Sequence, residues 1–390
     1  MMIDVAIVGG GASGIMAAIF AARCGASVAI LEKKPRIGKK ILATGNGRCN
    51  FTNVNACSKD YNSEFVGPAL DMFSSKDAID FFCELGLLSR EEAEGRVYPL
   101  SGQATAVLDV LRMETDRLRV KVITEFDVTD IKKKDNFFAI SGNGETIKAK
   151  KVIVSTGGMA APKSGSDGSG YRLLKKLGHK TGAIVPALVQ LKTAKSVGGV
   201  RAYGKVSLSD GRFEQGEIQF NNYGISGIPV FGLAKYVKQG DKVFVDLLPD
   251  YTQEEVVELL EKRPLQTMET YLIGIINKAL GQLLLKECGI SPLSRRSDTL
   301  TKAEIEKIAK MLKAWRFDVT GVMPWENAQV TSGGIVLEEV NSKTMESKLV
   351  KGLYITGELL DIDGPCGGYN LQWAWSSGAL AGREAAGAEN

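Results

Sequence analysis

A glycine-rich turn close to the start of the chain constrains the fold more than any other feature. The segment IVGGGASG carries Gly9, Gly11 and Gly14 directly behind the apolar run Val5–Val8. The residues after it, Ile15–Cys24, are rich in Ala, Ile and Met and include neither Gly nor Pro, which predicts a helix. A buried strand, a G-x-G-x-x-G turn and a helix in this order predict the first half of a βαβ unit.

The residues that follow indicate what such a unit binds. A second apolar run, Ser27–Leu31, ends at Glu32, close to the spacing of roughly 20 residues at which an acid binds the ribose hydroxyls of a dinucleotide. The start of the helix offers free backbone N–H groups to a pyrophosphate. A βαβ unit without a ligand is the alternative, but it leaves Glu32 at a buried edge with no evident partner. We therefore predict a dinucleotide site, with FAD and NAD both open at this point.

Composition and charge argue against several other classes of protein. The chain has 390 residues, 44% of them hydrophobic, and 44 glycines, which suits a large globular protein of two or more domains. A net charge of +4 is too small to indicate nucleic-acid binding. The apolar stretch Val5–Ala22 is interrupted by GGGASG, and no uninterrupted apolar run of the ~18 residues of a membrane span occurs elsewhere. The six cysteines form no C-x-x-C pair, so we expect no metal site, reduced thiols and a cytoplasmic location.

The segment directly after the predicted ribose-binding acid is a long loop. Residues 33–53, KKPRIGKKILATGNGRCNFTN, are dense in Gly, Asn, Lys and Arg and show neither helix nor strand periodicity. Loops of this length are usually functional or disordered. We predict that it wraps a cofactor, with its cations near phosphate; a solvated basic loop is the alternative. The residues that carry this prediction are Gly38, Lys39, Gly45, Gly47, Arg48, Cys49 and Asn50.

The middle of the α/β part combines helices and strands. Residues 75–95 and 103–118 are predicted to be helical, and alternating strands recur between about 120 and 154. The last strand, in KKVIVSTGG, is followed by Thr156 and Gly157. This second glycine turn is expected at the carboxyl edge of the sheet, where doubly wound folds bind their ligands.

The composition of the chain changes from about residue 186. Short β-like runs separated by Gly, Asp and Asn predict a small barrel or sandwich there. Residues 252–316 are predicted to be helical, including METYLIGIINKALGQLLLKECG, and Thr252 with Glu255 forms a capping-box pattern. Strands return from about residue 318.

The C-terminal stretch again combines a strand, a glycine turn and a helix. Leu353–Thr356 is predicted to be a strand, followed by Gly357, Glu358, the loop DGPCGGYN and a helix from about Leu371. In two-part flavin folds such an element binds the ribityl chain, and the helix N-terminus faces the flavin pyrimidine, which is often anionic when reduced. We therefore place Glu358 on the ribityl hydroxyls and the backbone of Gly368–Leu371 at the flavin N1/O2 edge. A loop that caps an ordinary helix is the alternative.

Taken in order, six segments resemble those of one family of flavoproteins. They are GGGASG, GKKILATGNGRCNFTN, VIVSTGG, AQVTSGGI, TMESK and GLYITGELLDIDGPCGGYNLQWAWSSGALAG. Over nearly the whole chain they are similar to the BaiN/RdsA-type NAD(P)/FAD-dependent oxidoreductases, also called aminoacetone-oxidase-family flavoproteins. The resemblance implies an α/β fold, in which a glutathione-reductase-like, FAD-binding Rossmann domain is interrupted by an inserted β-barrel and a helical part. The domains expected are 1–187 with 318–390 for FAD, 188–251 for the barrel and 252–317 for the helical subdomain.

The resemblance also implies roles for individual residues. It puts the first glycine turn and Glu32 on the ADP half of FAD, and the backbone of Val128 against the adenine. Members commonly carry Thr-His before the Tyr-Gly-x-Ser-Gly segment, whereas Asn222 precedes Tyr223 here, so the imidazole is absent. The residues expected to bind the cofactor are Gly9, Gly11, Ala12, Ser13, Gly14, Glu32, Lys33, Lys40, Gly47, Arg48, Cys49, Asn50, Val128, Thr156, Gly157, Gly357, Glu358, Gly368, Tyr369, Asn370 and Leu371.

The chemistry beyond FAD binding is less constrained by the residues. The nearest candidate for a second fingerprint, GSDGSG at 165–170, has the wrong spacing and is predicted to start the helix YRLLKKLGH. NAD(P)H, the expected electron donor, would therefore visit the flavin face transiently. Arg48 and Tyr223 are the candidates for polarising a carbonyl or donating a proton. His179, the sole histidine, is expected to be structural, and Cys49 and Cys366 to be packed thiols rather than a disulfide.

Three functions are compatible with the sequence. The resemblance favours an NAD(P)H-dependent reductase of an activated C=C bond in a steroid-like or bile-acid-like enone. An FAD-dependent amine or aminoacetone-type oxidase that uses O₂ is the second interpretation. A non-catalytic or RNA-associated flavoprotein is the third, and the near-neutral charge counts against it. We expect a small-molecule substrate and neither a nucleic-acid nor a membrane partner.

Overall fold

The computed structural model describes residues 2–387 and divides the chain into two units. The first unit contains the residues up to Pro186 and those from Gln329 onward, and the second contains Ala187–Ala328. Within residues 2–387, no helix is both long and apolar enough to cross a membrane.

From the N-terminus to Ala187 the chain alternates strands and helices. The strands are β1 (Ile3–Val8), β2 (Val28–Leu31), β3 (Thr52–Asn53), β4 (Ser89–Glu92), β5 (Arg96–Pro99), β6 (Lys121–Ile123), β7 (Val128–Lys133), β8 (Phe138–Gly142), β9 (Glu145–Val154) and β10 (Val185–Ala187). The helices are α1 (Ala12–Arg23), α2 (Gly67–Met72), α3 (Ser75–Glu84), α4 (Ala104–Arg117) and α5 (Ser169–Lys176).

The remaining elements belong to the second unit and then to the C-terminal part of the first. The second unit contains β11 (Leu191–Thr193), β12 (Val200–Leu208), β13 (Phe213–Asn221), β14 (Gly224–Ser226), α6 (Ile228–Leu233), β15 (Lys242–Asp246), α7 (Gln253–Glu261), α8 (Lys278–Glu287), α9 (Lys302–Lys313) and β16 (Trp315–Val322). The first unit resumes with β17 (Val330–Ser332), β18 (Leu353–Ile355) and α10 (Tyr369–Ala386).

The main sheet of the first unit brings several strand ends to one edge. Its strands follow the order β6-β2-β1-β9-β8-β7, and β18 also pairs with β9. The strands β6, β2, β1, β9 and β18 run parallel, whereas β9, β8 and β7 form an antiparallel meander. Because parallel strands share a direction, the turns after β1, β2, β9 and β18 all leave the same edge, where ligands bind in such sheets.

Helices α1 and α10 lie in close contact in the first unit, and two glycines of α10 allow it. A Cβ on Gly378 would lie 2.3 Å from the Ser13 carbonyl oxygen, and one on Gly382 would lie 2.4 Å from the Ala17 carbonyl oxygen. Both distances are below van der Waals contact, so a larger side chain at either position would separate the helices. This packing fixes the starts of α1 and α10 relative to each other.

The inserted unit contains the expected barrel, but the last strand of the barrel lies later in the sequence than expected. The strands close in the order β11-β14-β13-β12-β15-β16 around a core that includes Trp315, Phe317 and Phe220. Strand β16 follows the helices α7, α8 and α9, and it pairs with β15 and β11. The boundary expected at 318 therefore falls inside β16, and the first unit resumes only at Gln329. The first boundary, expected at 187, lies next to Pro186.

Two helix predictions were wrong in part, and both at a glycine. The helix predicted over 75–95 ends at Glu84, because Gly86 takes a φ of +88° and the residues after it pair with β5 as strand β4. The helix predicted to start near Met268 begins only at Lys278, after Gly274 with a φ of +87°. The capping box of α7, the start of α5 within GSDGSG and the span of α4 agree with the predictions.

Candidate cofactor site

The turn between β1 and α1 contains two glycines that the fold requires, Gly9 and Gly14, and a third, Gly11, that borders open space. Gly9 has a φ of +102°, and a Cβ there would lie 2.6 Å from the Ser155 carbonyl oxygen. A Cβ on Gly14 would lie 2.0 Å from the Gly9 carbonyl oxygen. On Gly11 the nearest protein atom would be 4.0 Å away. Because Gly11 is the N-cap of α1 and has no side chain, the helix starts with free N–H groups beside open space.

Glu32 lies where the sequence predicted, at the end of β2 and beside the glycine turn. Its side chain is 8% exposed; Gly10 N–H donates to Oε2 and Lys34 N–H donates to Oε1, both at 2.8 Å. A carboxylate accepts about four hydrogen bonds, so acceptor capacity remains for two ribose hydroxyls. The Phe126 N–H donates to the Glu32 carbonyl oxygen at 2.9 Å, which places the start of β7 at Val128 close to this end of the sheet.

The turn after β9 lies against the turn after β1. Ser155 N–H donates to the Val8 carbonyl oxygen at 2.8 Å, and Thr156 and Gly157 follow directly. Gly157 has a φ of +72°, and a Cβ there would lie 2.8 Å from the Ser166 hydroxyl oxygen. The structure therefore brings Thr156 and Gly157 to the same edge as Gly9.

Glu358 forms a network that the sequence did not indicate. Its Oε2 accepts from Lys40 Nζ, and its Oε1 accepts from the Thr331 N–H, both at 2.6 Å. The Thr331 hydroxyl oxygen in turn accepts from the N–H groups of Met159 and Ala160 at 2.8 and 3.1 Å. The carboxylate expected on the ribityl hydroxyls thus also holds the loop after β2 against β17.

The long loop after β2 ends in an arginine that three contacts orient. Residues Ile41–Gly47 form short 3₁₀ turns, and Gly47 has a φ of +83° with open space on its Cβ side. Arg48 forms an ion pair with Glu92, and its guanidinium lies 4.1 Å from the centre of the Tyr98 ring. The hydrogen bond to Glu92 raises the pKa of Arg48 and lowers the pKa of Glu92, so both stay charged.

The residues after Arg48 combine strain, burial and an unpaired polar atom. Cys49 is fully buried at a φ of +58°, and burial raises the pKa of its thiol to about 12. Burial also raises the pKa of Cys366, and both thiols are free. The Asn50 side chain is 7% exposed, and its Oδ1 has no hydrogen-bond partner within residues 2–387. Both cysteines are free thiols rather than a disulfide, as the sequence predicted.

The start of α10 is held by its own loop and by backbone and side-chain groups from distant parts of the chain. Its N-cap, Gly368, has a φ of +101°, and a Cβ there would lie 2.4 Å from the Thr52 carbonyl oxygen and 2.8 Å from Asn50 Oδ1. Asn370 folds the preceding loop, because its Oδ1 accepts from Gly364 N–H at 2.9 Å. The Tyr61 hydroxyl donates to the carbonyl oxygen of Tyr369 at 2.8 Å. The helix, which starts two residues before the expected Leu371, has no side-chain cap.

The residues of the first unit fit a flavin dinucleotide on two observations. Both α1 and α10 start at a glycine and leave free N–H groups, which favours anionic groups at these positions. Three buried side-chain atoms in the loops that follow β2, β9 and β18 lack a hydrogen-bond partner in the described part of the chain: Asn50 Oδ1, Ser166 Oγ and Thr356 Oγ1. Buried polar atoms in native proteins are nearly always paired, so these atoms indicate a ligand in the site.

The remaining candidate residues are engaged by the protein or belong to the second unit. Lys33 forms a 2.6 Å ion pair with Asp167. Tyr223 is partly exposed in the turn between β13 and β14 of the second unit. His179 is buried, with Nδ1 3.0 Å from Glu339 Oε2 and Nε2 2.9 Å from Ser347 Oγ. This confirms the structural role predicted for the histidine.

Sequence reasoning missed four residues that contact the expected site. They are Glu92 and Tyr98, which hold Arg48, Thr331, which holds Glu358, and Ser166, which lies against Gly157. The segments AQVTSGGI and GSDGSG contain two of them, so their glycine-rich composition was a usable signal. Glu92 and Tyr98 carried no signal in the sequence. The strand of Glu92 was predicted to be helical, and no element was predicted for the strand of Tyr98.

The fold and the site together define a flavoprotein oxidoreductase with an FAD-binding, Rossmann-type α/β unit and an antiparallel barrel. The chain belongs to the family described as HI0933-like protein Rossmann domain, whose model matches residues 3–384.

Two curated relatives have different names. The 3-dehydro-bile acid delta(4,6)-reductase of Clostridium scindens is 43% identical over 405 residues, covering 98% of each chain. The ribosomal RNA dihydrouridine synthase of Haemophilus influenzae is 30% identical over 388 residues, covering 95% of each. Among solved structures, the 3-ketosteroid delta1-dehydrogenase of Sterolibacterium denitrificans matches with a TM-score of 0.55 at 13% identity and covers 100% of both chains. At this identity the structural match shows a shared fold alone.

Proposed function

We propose that the protein is an FAD-dependent reductase of a C=C bond conjugated to a carbonyl group, with NAD(P)H as the electron donor. The observation that carries the proposal is the 43% identity, over 98% of both chains, to an enzyme named for reducing the Δ4,6 bonds of a 3-dehydro-bile acid. A steroid-like 3-oxo compound with conjugated double bonds is therefore the substrate class that we favour.

The first unit would hold FAD at its two free helix starts. The backbone from Gly11 to Gly14 would bind the pyrophosphate and Glu32 the adenosine ribose, while Gly357 and Glu358 would meet the ribityl chain. FAD supplies, when bound and reduced, a hydride to the double bond. The free N–H groups at Gly368–Leu371 would stabilise negative charge at the flavin pyrimidine, and the chain provides no acidic residue in that first turn to oppose it.

Arg48 is the residue that we assign to the substrate carbonyl. An enone accepts hydride more readily when a cation or hydrogen-bond donor stabilises the charge that develops on its oxygen. Glu92 and the Tyr98 ring restrict the guanidinium, and its side chain remains 38% exposed, so it keeps N–H groups for a ligand. Tyr223 of the second unit is the candidate proton donor.

A second candidate function follows from the relatives at lower identity. Two of them are named ribosomal RNA dihydrouridine synthase, and each aligns with at least 95% of this chain. Uridine differs from dihydrouridine by one C=C bond conjugated to a carbonyl, so both candidate reactions belong to the same chemical class. Reduction of uridine in ribosomal RNA would also reverse our expectation that nucleic acid is not a partner.

Anaerobic reduction of the protein-bound flavin tests the proposal. The purified full chain is mixed with NADPH or NADH, and the flavin absorbance is followed before addition of a 3-oxo-Δ4,6 steroid or of unmodified ribosomal RNA. We expect rapid bleaching by one nucleotide and reoxidation by the steroid. Reoxidation by RNA alone would favour the second candidate. Failure of both nucleotides to bleach the flavin would contradict the proposal and turn the search to amines with O₂.

Matched arginine variants test the assigned role of Arg48. Arg48→Met should slow the steroid-dependent reoxidation by roughly 100-fold, because one oxyanion-stabilising donor is typically worth that factor. Arg90→Met is the control, since Arg90 pairs with the same Glu92 but is more exposed. Equal effects of both substitutions would show that the slower reoxidation comes from disrupting the ion pairs of Glu92 rather than from a contact of Arg48 with the substrate.

A further inference from the structure

A short segment that the site assignment does not use lies at the same edge of the sheet. Gly165–Ser169, here called the strap, leads into α5, whose first residue is Ser169, and belongs to the GSDGSG motif. Its best-buried polar side chain is Ser166, which is 5% exposed. The hydroxyl of Ser166 has no hydrogen-bond partner anywhere in residues 2–387, although an unpaired buried hydroxyl is costly.

Two sets of contacts fix the strap across the sheet edge. At one end a Cβ on Gly165 would lie 3.4 Å from Lys34 Cγ, and Lys33 Nζ lies 2.6 Å from Asp167 Oδ2. Both lysines directly follow the strand β2 and Glu32. At the other end Gly168 N–H donates to the Gly158 carbonyl oxygen at 3.0 Å, just after β9.

The order of the strands shows what lies between these two ends. In the sheet β1 is the neighbour of both β2 and β9. A segment that contacts the residues after β2 and the residues after β9 therefore crosses the end of β1. The glycine turn from Gly9 to Gly14 and the free start of α1 leave the sheet at that place.

The orientation of Ser166 agrees with this placement. Its hydroxyl oxygen would lie 2.8 Å from a Cβ on Gly157, and the neighbouring Ser155 carbonyl lies against Gly9. The Asp167 carboxylate does not oppose an anion strongly, because it is paired with Lys33 and accepts from Ser169 N–H at 3.1 Å. The strap thus places a hydroxyl donor beside Gly157, two residues from the Ser155 carbonyl that packs against Gly9, and an ion pair next to it.

We propose that the strap closes over the ADP half of the bound cofactor and that Ser166 Oγ donates a hydrogen bond to its pyrophosphate or adjoining ribose. This inference rests on the proposed binding of FAD. It assigns a cofactor contact to a motif that otherwise only starts a helix, and it gives the unpaired hydroxyl a partner.

The release of FAD from the full-length holoprotein, followed by the rise in flavin fluorescence on dilution, tests the proposal. Ser166→Ala should release FAD roughly tenfold faster, the effect of one hydrogen bond to a charged group. Ser164→Ala is the matched control, because the Ser164 hydroxyl, just before the strap, donates to the Ala161 carbonyl oxygen. The control should release FAD at the wild-type rate.

Two further readouts separate a cofactor contact from a structural role. Without FAD, Ser166→Ala should unfold at the wild-type temperature or above it, because the substitution removes an unpaired hydroxyl. ADP should lose as much affinity as FAD. A lower unfolding temperature without FAD, or a loss seen with FAD and not with ADP, would overturn the proposal.

The ion pair of the strap provides a second variant. Asp167→Asn keeps an acceptor for Ser169 N–H but loses the charge that holds Lys33, so FAD should leave several-fold faster and with less dependence on salt than in the wild type. Asp80→Asn, which breaks the exposed pair with Lys76 on α3, is its control. A wild-type chain that retains no FAD would overturn the proposed function and this inference together. Retained FAD with unchanged release from Ser166→Ala and Asp167→Asn would overturn this inference alone.

Discussion

The starts of α1 and α10 offer similar free N–H groups, but the chain builds them by different means. At α1 the turn is shaped by backbone contacts: Gly9 and Gly14 leave no room for a Cβ, and one acid, Glu32, completes the site. At α10 the turn is held from distant segments by the Thr52 carbonyl oxygen beside Gly368 and by the Tyr61 hydroxyl, while Asn370 of the helix itself folds the preceding loop. The glycines and the acid of the first arrangement belong to one βαβ unit, although Ser155 packs against Gly9, whereas Tyr61 and Tyr369 in the second arrangement are 308 positions apart.

This difference explains why the first site is recognised from a short motif with fixed spacing, whereas the second was predicted only from the order of a strand, a glycine turn and a helix. A backbone-built turn requires glycine at fixed spacings, and those spacings are visible in the sequence. A turn held by contacts from distant segments can be formed by many combinations of residues, so no spacing in the sequence marks it. The two sites should therefore respond differently to substitution, and the following predictions test this in order of decreasing effect.

The largest effect is expected at Gly14, compared with Gly11 in the same turn. A Cβ on Gly14 would lie 2.0 Å from a backbone oxygen, so Gly14→Ala should destabilise the protein by about 3 kcal/mol. Gly11→Ala has 4.0 Å of space and should change the stability by less than about 1 kcal/mol while weakening FAD binding. Denaturant unfolding and FAD titration measure the two effects. Equal stability of both variants would contradict the division of roles between these glycines.

At the other helix start the corresponding test is Gln372, which joins α10 to β3. Its Oε1 accepts from the buried Thr52 hydroxyl at 2.6 Å, and its Nε2 donates to the Phe73 carbonyl oxygen at 2.9 Å. Gln372→Leu leaves the Thr52 hydroxyl without an acceptor and should cost about 2 kcal/mol in denaturant unfolding. Gln215→Leu, at an exposed position of β13, should cost less than about 0.5 kcal/mol. A similar cost at both positions would show that the network does not support α10.

The features that the sequence predicted correctly are those marked by a local pattern, and the features that it missed depend on contacts between distant residues. The strand, turn and helix around Gly9, the βαβ acid Glu32 and the later strand and glycine turn at Gly357 were all predicted at the positions where the structure has them. The bond between Thr52 and Gln372 joins residues 320 positions apart, and no local pattern indicates it. Strand β4 was missed because its sequence SREE suits a helix, and only its pairing with β5 makes it a strand.

A smaller effect, confined to ligand binding, is expected at Glu32. Glu32→Ala removes the acceptor proposed for the ribose and should weaken the binding of both FAD and ADP by roughly 30-fold, or about 2 kcal/mol. Titration of both ligands, monitored by flavin fluorescence and by calorimetry, measures the effect. Glu91→Ala, which removes an exposed acid of β4, is the control and should bind both ligands as the wild type does. Unchanged affinity of Glu32→Ala for ADP would remove Glu32 from the ADP half of the site.

The smallest effect is expected at His179, which belongs to neither helix start. Burial lowers the pKa of His179 below its usual value of 6.5, partly offset by Glu339, so the unfolded chain binds the proton more readily than the folded one. The stability contributed by the neutral imidazole is therefore complete above pH 6.5 and is lost as the pH falls below it. Carboxyls with a lowered pKa, such as Asp4 at about 2, lose their contribution only at lower pH.

Unfolding temperatures of the wild type and His179→Gln between pH 7.5 and 5.5 measure this effect. Because His179 is the sole histidine, the difference in slope between the two proteins isolates its titration. We expect the wild type to lose more stability than the variant towards pH 5.5, while FAD affinity changes equally in both, since His179 lies among Glu339 and Ser347 rather than at either helix start. Identical slopes would mean that the imidazole keeps its ordinary pKa despite burial. A loss of FAD affinity specific to the wild type would instead couple this buried histidine to the cofactor site.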